Sequence, residues 1–188
     1  MPQQPQLWLI RHAPVGGPRG VIPDIDAPAD VSDAAALQRV RAQLPGRHVA
    51  ISSPARRARD TAKALGLIVS PDPAFSEQHF GDWTGRTHAE IRRDHEAAYD
   101  EFWHDPANNW PPRGESFVDQ IARVRGGIDA LPAGNVIIVA HAGTIRAALA
   151  LALEMPPENA LRFVIDPLSL TRVDRIGKAW CVVAVNRC

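Results

Sequence analysis

A three-layer α/β/α sandwich with a mostly parallel sheet and an antiparallel edge is the fold that this 188-residue sequence predicts. Three observations carry that expectation. The short apolar runs QLWLI (6–10), HVAIS (48–52) and NVIIVA (135–140) have the length and continuity of strands buried on both faces. Each is followed by a segment of helical pattern, and strands alternating with helices build parallel sheets. The final stretch, SLTRVDRIGKAWCVVAV (169–185), instead alternates around a short Ile-Gly-Lys turn, which is a hairpin signal.

Taken in order, the first strand ends in Arg11-His12, and Pro14 forbids its continuation as a ladder member. A long loop rich in Pro, Gly and Asp leads to a helix within Asp33–Leu44. The second strand feeds a helix expected to start at Ser53-Pro54, an N-cap residue followed by proline at the first helical position, and to stop at Gly66. One polar helix with an apolar stripe is predicted over His88–Asp105. Another follows Gly114-Glu115-Ser116 and reaches about Leu131, and a last one covers Gly143–Met155 directly after the third strand.

Composition narrows the function. The length suits one domain spanning residues 1–188, enough to bury a full core. Twenty-one basic residues balance twenty-one acidic ones, so no overall field favours nucleic acid or an anionic membrane. The apolar runs are too short to cross a bilayer, and the start MPQQPQ has no charged and apolar regions of a secretory signal. Cys181 and Cys188 have no paired spacing, which points to a reduced, cytoplasmic setting.

Open α/β sheets bind ligands beyond the carboxyl ends of their strands. Three strands here deliver polar residues to that edge: Arg11 and His12 from the first, Ser52, Ser53 and then Arg57 from the second, His141 from the third. Any one of them alone reads as a solvated strand end, a charged helix face or a structural histidine. Together they suit a dianion, because two arginines and a helix start offer directed donors. Neutral imidazole is a competent nucleophile toward phosphorus, and a second, protonated imidazole can stabilise the transferring oxygens. A general acid must then protonate the leaving oxygen. Glu77, Asp82 and Glu115 all occupy loops where they could do so, and spacing does not choose among them.

The ordered segments LIRHAPV, SSPARRARDTA, SEQHFGDWTG, PPRGES and VAHAGTIRA resemble the histidine phosphatase superfamily, and the resemblance covers nearly the whole chain. It implies a phosphoglycerate-mutase-like fold. It also implies that His12 is the phosphorylated nucleophile, that Arg11, Arg57 and His141 clamp the phosphate, and that Glu77 is the proton donor. The family's RHGETxxN reads RHAPVGGP here: Ala13 replaces glycine, Pro14-Val15 replace Glu-Thr, and Pro18 stands where an asparagine often touches phosphate. RHAPV, FGDWTG, PPRGES and HAGTIRA are most similar to α-ribazole phosphatases of the cobalamin pathway. The expected activity is therefore hydrolysis of a small phosphorylated metabolite, such as α-ribazole 5′-phosphate, through a phosphohistidine, with no cofactor and no metal. Neither nucleic acid nor membrane is an expected partner, and a homodimer stays open as the assembly state.

Three rival readings fit the residues less well. A mutase of this family would use the same histidine, but such enzymes are longer, with segments that close over the site. A non-catalytic phospho-ligand module would not need the acid. Glu101-Phe-Trp-His104 fits one E-x-x-H copy, whereas di-metal bundles need two, and His79, His88 and His95 lack ligand spacing. Finally, eight of the eleven aromatic residues fall between Phe75 and Phe117. They read equally well as a satellite core or as a substrate wall.

Overall fold

The computed structural model describes residues 4–17 and 20–188, so Pro18 lies outside the described residues. Six strands form one sheet: β1 (Pro5–Arg11), β2 (Val49–Ser52), β3 (Ser70–Pro71), β4 (Gly134–Ala140), β5 (Leu170–Ile176) and β6 (Ala179–Arg187). Their order is β3-β2-β4-β1-β5-β6. The first four run parallel, β5 is antiparallel to β1, and β6 returns beside β5 as the hairpin the alternation predicted. The helices are α1 (Ala34–Ala42), α2 (Arg56–Ala64), α3 (His88–Asp94), α4 (Glu96–His104), α5 (Phe117–Asp129), α6 (Ala142–Leu153) and α7 (Pro157–Ala160).

The two-residue period of the central strands sorts the layers. Leu7 and Leu9 of β1, with Val136, Ile138 and Ala140 of β4, pack against Phe117 and Val124 of α5 and Ile145 and Leu149 of α6. The intervening Ile10, Ile137 and Val139 face the other way, against Val40 of α1 and Ala58 and Ala62 of α2. A strand buried on both faces must be apolar at successive positions, which is why these runs stand out in the sequence. A third cluster joins α3 and α4 through Ile91 and Phe102 to Ile22 and Trp83, and a bridge from Val21 to Thr87 ties this lobe to the loop after β1.

The central strands end in register. Arg11 pairs with Ala140 and Ser52 with Val139, so the residues that follow all emerge at one edge.

Two helix boundaries differ from expectation. Helix α2 begins at Arg56, with Ala55 as a cap that makes no side-chain bond, while the Ser53 hydroxyl accepts from the Ala55 N–H at 3.2 Å and meets a neighbouring histidine. The helix predicted over His88–Asp105 breaks at His95, whose backbone leaves the helical region at φ −143° and ψ 47°. Asp94 ends α3 and is ion-paired with both Arg86 and Arg93. The short β3 and α7 carry no apolar period and were not anticipated. Helix α2 ends at Ala64, just before Gly66, which takes the positive φ of 74°.

Candidate active site

His12 extends the β1 pairing by one bond, its N–H reaching the Ala140 carbonyl at 2.9 Å, and Ser53 does the same to Val139 at 2.9 Å. The three residues just past β1, β2 and β4 are thereby held side by side. The rings of His12 and His141 lie 5.0 Å apart at 66°. His12 Nδ1 sits 2.6 Å from the Ala13 carbonyl, which can only accept, so Nδ1 carries the hydrogen and Nε2 the lone pair. The Ala13 N–H donates to Thr61 Oγ1 at 2.9 Å, and that hydroxyl donates to the Arg57 carbonyl at 2.7 Å. Thr61 thus staples the turn after His12 to the first turns of α2.

Burial is the main reason His12 stays neutral, pushing its pKa down to about 3. The charges of His141, Arg57 and Arg11 act in the same direction, and the Ala13 bond opposes them. His141 is fully buried next to His12, its Nε2 2.7 Å from Ser53 Oγ. Burial beside Arg57 and Arg11 holds it well below the usual histidine range, so the ring is neutral here rather than the protonated imidazole expected from the sequence.

Arg11 and Arg57 both line the cleft. Arg57 is anchored by Nη1 on the Asp24 carbonyl at 2.8 Å, and Arg11 by Nη1 on the Ile165 carbonyl. Among the described residues neither guanidinium is ion-paired, and burial lowers the pKa of both. Two half-desolvated cations without a carboxylate partner make a strong anion site.

The three candidate acids occupy different settings. Glu77 lines the cleft beside these groups, its Oε1 accepting from the Gln78 N–H at 3.0 Å and from Gln120 Nε2 at 3.3 Å. Glu115 is engaged by Arg123 and by the His79 N–H at 3.0 Å. Asp82 is ion-paired with Arg113 at the surface. Glu77 and Glu115 both line the cleft, and of the two Glu115 is the one held by an arginine.

Several supporting residues had not been singled out. Arg123 of α5 binds the carbonyls of Pro73 (3.1 Å), Ala74 (2.9 Å), Ser76 (3.2 Å) and Glu77 (3.3 Å), fixing the whole segment that carries Glu77. Gln120 lies one helical turn earlier and is fully buried against the same segment. A Cβ on Gly143 would stand 2.2 Å from Glu77 Oε1, so that glycine makes the room in which the carboxylate sits. The spacing of Ser116, Gln120 and Arg123 on one helix face was the available signal, but its partner loop is not local in sequence.

The cleft has a volume of about 820 Å³. The aromatic residues divide between both readings: Phe75 and Phe117 are in the main core and Trp83 and Phe102 in the satellite cluster, while Phe80 and Trp103 line the cleft. Glu101 and His104 are exposed on α4, and among the described residues no three His, Cys, Asp or Glu side chains gather where a metal could bind. Among the described residues no helix is long and apolar enough to cross a membrane.

A neutral imidazole with its lone pair on Nε2, flanked by unpaired guanidinium groups and a carboxyl, can attack a bound phosphoryl group and protonate what leaves. Comparison with known proteins agrees with that chemistry. The family model of the histidine phosphatase superfamily (branch 1) matches residues 7–187. A glucosyl-3-phosphoglycerate phosphatase of Mycobacterium tuberculosis is 40% identical over 126 residues, which is 58% of this chain and 56% of that relative's length. An adenosylcobalamin/alpha-ribazole phosphatase of Salmonella typhimurium is 27% identical over 181 residues, 90% of each chain. The crystal structure of the alpha-ribazole phosphatase from Shigella flexneri superposes with a TM-score of 0.84 at 25% identity, covering 96% of both chains.

Proposed function

Because the chain belongs to branch 1 of the histidine phosphatase superfamily, we propose that it hydrolyses small phosphomonoesters through a phosphohistidine on His12. The observation that carries this reading is the neutral, buried His12 between two arginines that lack ion-pair partners among the described residues. His12 Nε2 forms a bond to phosphorus as the ester P–O bond breaks. Arg11 and Arg57 hold the phosphoryl oxygens, and the Glu77 carboxyl gives its proton to the leaving oxygen. Glu77, now a carboxylate, takes a proton from water as that water attacks phosphorus and breaks the P–N bond. Phosphate departs and neutral His12 is restored. His141, the third member of the clamp, lies with its ring 5.0 Å from that of His12 and meets the Ser53 hydroxyl.

The physiological substrate we propose is α-ribazole 5′-phosphate, on the likeness to the Salmonella and Shigella phosphatases. The exposed free thiols of Cys181 and Cys188 suit a reducing cytoplasm.

The test is phosphate release from a panel of phosphorylated metabolites that includes α-ribazole 5′-phosphate. Turnover should survive exhaustive chelation, since the arginines supply the charge that a divalent ion supplies elsewhere. Vanadate and phosphate should inhibit competitively. Turnover lost with EDTA and restored by a divalent ion would contradict the mechanism.

A further inference from the structure

The cleft is far larger than a phosphoryl group requires, at about 820 Å³, and its two ends differ in chemistry. Arg11, His12, Arg57 and Glu77 make the polar end. Val21, Ile22, Ile25 and Phe80, together with Trp103 of α4, give the rest of the lining most of its apolar surface. Trp103 is 47% exposed and Ile25 55%, and both line the cleft. The indole packs among neighbouring rings. Phe102 meets it nearly edge-on at 5.1 Å and 84°, Tyr99 lies 6.1 Å away and His88 5.9 Å. A half-exposed indole that packs against neighbouring rings and lines a cleft offers a stacking surface. Arg123 also reaches the cleft, but its donors are engaged by Glu115 and four backbone carbonyls. Polar side chains such as Thr84 and His88 also line the cleft, and Trp103 offers its lining a large aromatic surface.

We propose that the outer half of the cleft selects phosphomonoesters whose leaving group carries a planar aromatic ring, with Trp103 as the specificity-determining stacking residue. The proposal rests on the phosphatase reading above. It assigns Trp103 a role in substrate choice and none in the chemical step.

The experiment compares benzyl phosphate with cyclohexylmethyl phosphate, whose leaving alkoxides are similar in size and basicity and differ in aromaticity. Methyl phosphate serves as the reference that does not reach the wall. The wild-type kcat/KM should favour benzyl over cyclohexylmethyl by roughly threefold to tenfold, the range expected of one aromatic pair. In Trp103→Ala that ratio should fall to about one, with methyl phosphate turnover within about twofold of wild type, and Trp103→Phe should restore much of the preference. A wild-type ratio near one, or equal losses on all three substrates in Trp103→Ala, would overturn the proposal. The wild-type ratio and Trp103→Phe decide the matter even should Trp103→Ala fail to fold. If wild type turns over none of the three esters, the phosphatase reading itself fails.

Discussion

The bond from His12 Nδ1 to the Ala13 carbonyl decides which ring nitrogen can attack, and it is made by the backbone of the next residue. The sequence context of Arg11-His12 was readable because a buried strand cannot continue through an arginine, a histidine and a proline. Glu77 was not readable in the same way. What distinguishes it from Glu115 is Arg123, which neutralises Glu115 and grips the carbonyl of Glu77, and those contacts exist only after folding. The same holds for Gly143, which looks like an ordinary small residue in a helix start until Glu77 is placed against it. This yields a prediction. Glu77→Gln should slow hydrolysis of alkyl phosphates by about 10²–10⁴-fold, and far less with p-nitrophenyl phosphate, whose leaving group needs no proton. Gly143→Ala should reproduce a milder form of that pattern, since its Cβ meets the movable end of the Glu77 side chain rather than backbone. Single-turnover phosphoenzyme formation, measured with both substrate types and alongside a thermal melt, checks it. Equal losses on both substrates in Glu77→Gln would assign the proton to another group.

At the scale of elements, β1, β2, β4 and the hairpin were legible because their hydrophobic pattern is local, whereas β3 has none and helix ends answered to tertiary partners. Ser53 illustrates the point. It has the residue type of an N-cap, but its hydroxyl meets His141 across the sheet edge and α2 starts later without a side-chain cap. Nor does proline or glycine mark the break at His95. Two loops lock together beside the site: the Asp82 N–H binds the Pro112 carbonyl at 3.0 Å and the Glu115 N–H binds the His79 carbonyl at 2.9 Å. Both loops depend on glycine. A Cβ on Gly81, where φ is +53°, would lie 2.0 Å from the Pro112 carbonyl oxygen, and one on Gly114 would lie 2.4 Å from the His79 carbonyl oxygen. Gly81→Ala is therefore expected to destabilise the fold by at least about 1 kcal/mol through backbone strain alone. Urea denaturation should register the loss, and an unchanged midpoint would mean that the interlock yields without cost.

For the molecule as a whole, burying two neutral histidines couples stability to pH. In the unfolded chain a histidine titrates near 6.5, whereas folded His12 does so at about 3. Between those values the unfolded state binds the extra proton, so stability rises with pH through this window and is lost on acidification. His141 acts in the same direction. Each can contribute a slope of up to about 1.4 kcal/mol per pH unit. Urea midpoints taken from pH 6.5 down to 5 should fall, and His12→Asn should flatten that dependence. A slope unchanged by the substitution would show that His12 is not held neutral in the folded state.

The central claim is that His12 carries the phosphoryl group. It is tested most directly by rapid quenching of the protein with a phosphorus-labelled substrate. The account predicts an acid-labile, base-stable label, mapped to His12 and absent from His12→Ala, whether or not His141 is intact. A label that persists in His12→Ala and disappears only in His141→Ala would contradict it.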